Sequence, residues 1–111
     1  MAIEILVTPL SVTGMLCGEI DHHSAAEIRR ELDAVIQQHA PTLLRLDFEQ
    51  VSFIDSSAVG LVLGRFRLMQ ELGGRLQVVN LNERYYKVMQ LAGVERLRAV
   101  SLRKASQTTT K

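Results

Sequence analysis

Cysteine is nearly absent from this chain, since Cys17 is the only one in 111 residues. A single cysteine excludes an internal disulfide and favours a reducing compartment. The first residues lack a basic segment followed by an apolar one, so we expect no signal peptide. The longest apolar run, residues 58–64, is far shorter than the roughly 20 residues that a membrane helix needs. We therefore expect a cytoplasmic protein without a membrane segment.

A charge excess of either sign is also missing. Thirteen basic residues stand against twelve acidic ones, which leaves a net charge of +1. Such a chain has no long-range field that attracts nucleic acid or an anionic membrane, and we expect neither as a direct partner. Apolar residues make up 47% of the sequence. That content can bury one core in a chain of single-domain length.

The spacing of apolar residues predicts strands and helices in the order β-β-α-β-α-β-α-β. This order predicts an α/β fold with a mixed, mostly parallel sheet, an N-terminal antiparallel pair and helices packed on it. We expect one domain over residues 1–102 and a flexible polar tail over 103–111. The predicted strands are 2–8, 11–17, 44–48, 76–79 and 97–102, and the predicted helices are 25–39, 57–72 and a third between Asn82 and Gly93.

Local signals refine two of these helices. Ser24 and Glu27 fit a capping box for the first helix, which makes Gly18 to His23 a loop. The second helix is apolar nearly all round in its first half, so we expect deep packing there with no solvent side at Gly60. The spacing of Gly60 and Gly64 favours close packing of this helix on the sheet. Its charged second half, with Arg65 and Arg67, is expected to face solvent.

The segment Asp55-Ser56-Ser57 joins an apolar strand to the second helix. A helix start leaves backbone N–H groups unpaired and favours anions, so it is a suitable place for a phosphate. The same serines can also serve as plain helix caps. A hydrolase is disfavoured because Ile54 and Ala58 hold the positions that glycines occupy in a nucleophile elbow.

A metal site at Asp21, His22 and His23 is disfavoured as well. Adjacent histidines point in different directions, and no spaced third ligand completes a set. We expect no metal and no cofactor, and we expect both histidines at the entry of a helix.

Two segments resemble the STAS-domain anti-sigma factor antagonists. Residues 55–60, Asp-Ser-Ser-Ala-Val-Gly, are similar to that family's Asp-Ser-Ser-Gly-Leu-Gly signature. Residues 18–23, Gly-Glu-Ile-Asp-His-His, are similar to its Gly-Glu-Leu-Asp loop, and the His-His pair is close to the form of the sporulation branch. The resemblance covers roughly residues 3–102 and implies the STAS fold. Ala58 departs from the family's usual glycine and restricts the backbone there.

The resemblance implies a regulatory binding protein rather than an enzyme. Family members bind a partner that is both an anti-sigma factor and a serine kinase, and they thereby release the sigma factor. Phosphorylation at Ser56 is the implied off switch, and a metal-dependent serine phosphatase is the implied partner that resets it. The implied partner-facing residues are Asp21, Asp55, Ser57, Ala58 and Gly60.

The free protein is expected to be a monomer. Two alternatives stay open: an antagonist of the general-stress type, and a STAS module that binds a small ligand or a nucleotide without a sigma circuit.

Overall fold

A computed structural model of the chain describes residues 2–105. Five strands and three helices follow one another in the predicted order, with one 3₁₀ turn (Val94–Arg96) before the last strand. No helix within residues 2–105 has the length and apolarity needed to cross a membrane. The strands are β1 (Ile3–Val7), β2 (Ser11–Ile20), β3 (Leu43–Ile54), β4 (Arg75–Leu81) and β5 (Val100–Lys104), and the helices are α1 (His22–His39), α2 (Ser56–Glu71) and α3 (Glu83–Leu91).

The five strands form one sheet in the order β1-β2-β3-β4-β5. β1 and β2 pair antiparallel, and every later pair is parallel. The predicted α/β fold with its N-terminal antiparallel pair is therefore confirmed. A helix makes each return between parallel strands, so β2, β3 and β4 end at one edge of the sheet, where α1, α2 and α3 begin.

The core lies on one face of this sheet. Along β3 the fully buried residues alternate, with Leu44, Leu46 and Phe48 all at most 1% exposed. Buried residues of all three helices belong to the same cluster, so the helices cover this face. The other face is more polar, and Arg45 Nε donates to Oε1 of Gln77 at 3.1 Å there. Alternation of apolar and polar residues along the strands therefore reflects one covered face.

Strands β2 and β3 are both longer than predicted. β2 continues through Gly18 to Ile20, within the segment predicted as a loop. Gly18 has a φ of 75° at a register shift of the β2–β3 pair, a conformation that glycine adopts without strain. β3 runs on to Ile54, because its pairing with β2 extends to the Ile20–Ile54 register pair.

The last strand, predicted over residues 97–102, is shifted toward the C-terminus and runs from Val100 to Lys104. β5 includes Arg103 and Lys104, which the sequence placed in the polar tail. The N–H of Ala105 donates to the carbonyl oxygen of Leu81 at 2.8 Å, and Lys104 Nζ lies 3.1 Å from Oε2 of Glu83. Residues 106–111, the rest of the predicted tail, lie outside the described residues.

Helix α2 packs less completely than predicted. Its buried residues are Ala58, Leu61, Val62, Arg65 and Met69, which form a single stripe. Gly60 lies off this stripe and is exposed, so the expectation that it has no solvent side is wrong. A Cβ built on Gly60 or Gly64 meets no atom within 4 Å, so neither glycine serves close packing on the sheet.

The prediction that Arg65 and Arg67 of α2 face solvent is correct for only one of them. Arg67 is exposed, but Arg65 is 5% exposed and buried. The reason is a neighbour on α1: Nε of Arg65 lies 2.9 Å from Oδ1 of Asp33. A long aliphatic stem allows arginine to lie in a buried stripe when a carboxylate meets its guanidinium group.

Candidate functional site

Ser56 is the first residue of α2, and it is exposed at the edge where β3 ends. Asp55 precedes it as the N-cap. The Oδ1 atom of Asp55 accepts a hydrogen bond from the N–H of Ser57 at 2.7 Å, and its carbonyl oxygen accepts one from the N–H of Ala58 at 3.0 Å. Asp55 therefore caps the helix, so an exposed hydroxyl at Ser56 is not needed for capping.

Asp21 holds the matching position at the end of β2. Ile20 and Ile54 are register partners in the parallel β2–β3 pair, and the N–H of Asp55 donates to the carbonyl oxygen of Ile20 at 3.2 Å. Asp21 and Asp55 follow these two isoleucines directly, and each caps the helix that comes next. The two segments that resemble the family motifs thus lie side by side at one edge of the sheet.

The start of α1 differs from the prediction. Asp21 is the N-cap, and Ser24 is its partner in a capping box instead of being the cap itself with Glu27. The N–H of Ser24 donates to Oδ1 of Asp21 at 2.9 Å, and the N–H of Asp21 donates to Oγ of Ser24 at 3.0 Å. The backbone hydrogen bond from Ser24 is the largest influence that lowers the pKa of the Asp21 carboxyl. Asp21 is therefore a structural residue as well as a candidate contact.

Two residues that the sequence did not single out lie beside this edge. Phe53 is 49% exposed, although a large aromatic side chain is costly to leave in water. Its register partner on β2 is Glu19, which is also exposed. Alternation from the buried Val51 would also bury Phe53, but the β2–β3 register shifts between the pairs Gly18–Val51 and Glu19–Phe53, and Phe53 is left exposed. No pattern in the sequence indicates these irregularities in the strand.

The other predicted partner-facing residues take different positions along α2. Ser57 is half-buried, and Gly60 is exposed on the next turn. Ala58 is 0% exposed and belongs to the core. Its side chain is thus not available to a partner in this conformation. The structure brings Asp21, Asp55, Ser57 and Gly60 near Ser56 but leaves Ala58 beneath the surface.

A groove of about 410 Å³ separates α1 from α2 and adjoins this edge. Its walls contain no bulky aromatic residue, and two glycines of α2 keep it open. The residues that line it are His22, Ala25, Ala26, Arg29, Ser57, Gly60, Leu61, Gly64 and Arg65.

The two adjacent histidines lie in the first turn of α1, as predicted, and both are exposed. Within residues 2–105, no three potential metal-ligating side chains come together. The arrangement around Ser56 consists of an exposed hydroxyl, capping carboxylates and an exposed phenyl ring. Such groups can accept a covalent modification and contact another protein.

The model of the STAS domain family matches residues 3–107 of this chain. The chain is 40% identical over 89 residues to the anti-sigma F factor antagonist of Lysinibacillus sphaericus, which covers 80% of this chain and 76% of that protein. It is 34% identical over 80 residues to the anti-sigma-B factor antagonist of Bacillus subtilis, which covers 72% of each.

The fold is also similar to solved structures of SpoIIAA. The anti-sigma factor antagonist SpoIIAA in its unphosphorylated form aligns with a TM-score of 0.79 and 36% identity, over 96% of this chain and 90% of that chain. The Bacillus cell fate determinant SpoIIAA in its phosphorylated form aligns with a TM-score of 0.73 and 36% identity, over 96% and 93%. Together with the family match, these alignments confirm the predicted STAS fold.

Proposed function

This chain belongs to the STAS domain family, and we propose that it is an anti-sigma factor antagonist controlled by phosphorylation at Ser56. Its unphosphorylated form binds an anti-sigma factor that is also a serine kinase, and this binding releases the sigma factor. After transfer of the γ-phosphoryl group of ATP to Oγ of Ser56, the complex dissociates. The observation that carries the proposal is the exposed serine at the start of α2, capped from Asp55, within a family match over residues 3–107.

The surroundings of Ser56 suit a reversible charge switch. A phosphoserine carries roughly −1.5 to −2 charges at neutral pH. The N-terminus of α2 favours this charge by about 0.3–1 kcal/mol at an exposed position, while the neighbouring carboxylate of Asp55 opposes it. Since these two effects have opposite signs and Ser56 is exposed, the fold should tolerate the phosphate.

The complex with the anti-sigma kinase should not tolerate a phosphate on Ser56. In the unphosphorylated complex the partner surface covers a neutral hydroxyl beside the carboxylates of Asp21 and Asp55. A phosphate buried there adds negative charge to an edge that already carries these two carboxylates, and buried charge in excess of what the partner's cations balance is costly. A loss of about 3 kcal/mol weakens binding more than a hundredfold. That change is large enough to switch partners.

The exposed groups near Ser56 indicate what the partner offers. Asp21, Asp55 and Glu19 give this edge acidic side chains, and Phe53 adds an exposed aromatic ring. A partner surface with basic residues around an apolar pocket complements this pattern. We propose that Gly60 and Ser57 lie within the same contact, whereas Ala58 acts from below through packing.

The remaining parts of the circuit follow from the same proposal. A metal-dependent serine phosphatase removes the phosphate and restores the active form. The protein works in the cytoplasm, where sigma factors act, as a monomer that contacts neither nucleic acid nor membrane. It is a substrate of its partner and performs no catalysis of its own.

Two substitutions at Ser56 test the proposal. Ser56→Ala should bind the anti-sigma kinase with the affinity of the parent chain and stay bound in the presence of ATP. Ser56→Asp should bind at least tenfold more weakly, because it adds a charge in the interface. Gln50→Glu is the control, since it adds one charge at another exposed position of the β3 segment. Equal affinities of Ser56→Asp and the parent chain would overturn the switch.

A general-stress antagonist is the second candidate. The 34% identity to the anti-sigma-B factor antagonist of Bacillus subtilis favours it. Isolation of the anti-sigma factor that copurifies with the Ser56→Ala chain from its source cell separates the sporulation branch from the stress branch.

A further inference from the structure

The groove between α1 and α2 has a charged wall that the proposed phosphorylation switch does not use. Its volume is about 410 Å³, and it begins beside Ser57 and extends to Arg65. The open side of α2 faces it, since a Cβ built on Gly60 or Gly64 would meet no atom within 4 Å. The groove is therefore able to admit a group larger than a water molecule.

Two buried nitrogen atoms of Arg65 in this wall, Nε and Nη1, have no hydrogen-bond acceptor among residues 2–105. Its side chain is 7% exposed, and its guanidinium group carries five N–H donors. The Nε atom lies 2.9 Å from Oδ1 of Asp33, a close ion pair whose alignment is not that of a hydrogen bond. The Nη1 atom is buried and has no hydrogen-bond partner among residues 2–105. Buried donors without acceptors are costly, and Arg65 also lines the groove, so an acceptor in the groove that the guanidinium group can turn to meet is favourable.

The charges around the groove leave one positive charge unmatched. Arg65 and Arg29 line it, and Asp33 is the carboxylate paired with Arg65. Within residues 2–105, Arg29 has no carboxylate within ion-pair distance. Burial lowers the pKa of Arg65, the carboxylate of Asp33 raises it, and the positive charge of Arg29 lowers it. Arg29 and Arg65 are therefore close enough to act on each other electrostatically. Arginine nevertheless stays protonated.

We propose that the α1–α2 groove binds a carboxylate group, held by Arg65 and Arg29. A carboxylate carries one negative charge, which matches the one unmatched positive charge. Its two oxygens also fit the planar fork of a guanidinium group. The groove is larger than a carboxylate alone, so it accommodates the carbon chain that carries the group.

The carboxylate has two possible sources. A small organic acid can enter the groove directly, or an acidic side chain of the bound anti-sigma kinase can insert into it. The second source rests on the proposed function, and the first does not. The groove adjoins Ser57, so an inserted side chain would belong to the same contact surface as Ser56.

A titration followed by amide NMR tests the site on the free chain. Sodium acetate is added at constant ionic strength, with sodium chloride and inorganic phosphate as comparisons. We expect saturable shifts at the amides of Ser57, Gly60 and Gly64, with a midpoint on the order of 10 mM, since one small anion binds weakly. Chloride at the same ionic strength should give no saturable shift.

Three variants define the groove. Gly64→Leu fills it in space that is open, so the fold should survive while the acetate midpoint rises at least tenfold. Arg65→Gln removes the guanidinium group and should have the same effect. Arg67→Gln removes an exposed arginine of the same helix and should leave the midpoint unchanged. No saturable shift with acetate, equal saturation in Gly64→Leu and the parent chain, or saturation with phosphate alone would overturn the proposal.

Binding to the anti-sigma kinase then identifies the source. A tenfold loss of affinity in Arg29→Gln, which removes a proposed carboxylate ligand without adding bulk, assigns the carboxylate to the partner. An unchanged affinity assigns it to a small acid. If the parent chain binds no kinase at all, the proposed function fails, but the acetate titration still decides the groove.

Discussion

Replacement of Gly60 by leucine should stabilise the protein. Gly60 is exposed on the second turn of α2, and a Cβ built there meets no atom within 4 Å. Leucine is favoured over glycine in a helix interior by nearly 1 kcal/mol. We expect the free energy of unfolding to rise by about 0.5–1 kcal/mol and the Tm by about 2–6 °C. This result is the reverse of what the apolar flanks of Gly60 indicate from the sequence.

Gly74→Ala is the matched control. A Cβ built on Gly74 would lie 2.6 Å from Cε of Met69 and 3.0 Å from the carbonyl oxygen of Thr42. Such crowding typically costs about 1–3 kcal/mol. Urea denaturation followed by circular dichroism measures both variants. A Gly60→Leu chain that is less stable than the parent by 1 kcal/mol or more would refute the open surface at Gly60.

The Gly60→Leu variant should also change stability and partner affinity in opposite directions. Gly60 lines the groove beside Ser57, so a leucine there should obstruct a partner that docks across this surface. We expect the affinity for the anti-sigma kinase to fall at least tenfold while stability rises. An unchanged affinity would place the contact surface away from this turn of α2.

Three further variants follow from the caps and the backbone. Asp55→Ala should cost about 1 kcal/mol in a urea titration, because it removes the acceptor for the N–H of Ser57, and Asp55→Asn should cost less. Asp21→Ala should lower the Tm at neutral pH. The folded-state pKa of Asp21 is depressed below the unfolded value near 3.8. The stability that its ionised carboxylate contributes is therefore complete above the unfolded pKa and is lost as pH falls through the folded pKa. A Tm difference from the parent that persists undiminished at pH 2 would contradict this. Ala99→Gly should raise stability by about 1 kcal/mol, since Ala99 has a φ of 64°, and a loss of stability in thermal denaturation would contradict the strain.

The element order and the strand-to-helix position of Ser56 were predictable from the sequence. Both depend on strong local signals: the apolar residues that end at Ile54, the capping residue Asp55 and the helical spacing that follows. The mixed sheet follows from the alternation of strands with helices. These features depend on a few adjacent residues, which is why a single sequence contains them.

Features that depend on contacts between distant segments were not predictable. Arg65 is buried because Asp33 of α1 reaches it, and nothing near Arg65 in the sequence indicates that neighbour. Gly60 is exposed because α2 buries only one stripe, although apolar residues flank it on both sides. Phe53 is exposed where the register of β3 with β2 shifts between Val51 and Phe53, and that shift depends on the partner strand.

The start of α1 shows a second kind of error. Ser24 and Asp21 are both good N-caps, and the sequence does not choose between them. The structure chooses Asp21 because β2 continues to Ile20 and because Ser24 then completes a reciprocal pair of hydrogen bonds. The length of the preceding strand β2 thus decides whether Asp21 or Ser24 caps α1.

Phosphorylation of the purified chain by its anti-sigma kinase tests the central claim most directly. The chain is incubated with kinase and ATP, the phosphate is located by mass spectrometry, and the affinity of the phosphorylated chain for the kinase is measured. We predict phosphate on Ser56 and an affinity that falls more than a hundredfold, equivalent to about 3 kcal/mol. Phosphate mainly on Ser57 or Thr108, or a chain phosphorylated at Ser56 that still binds as tightly as before, would contradict the account.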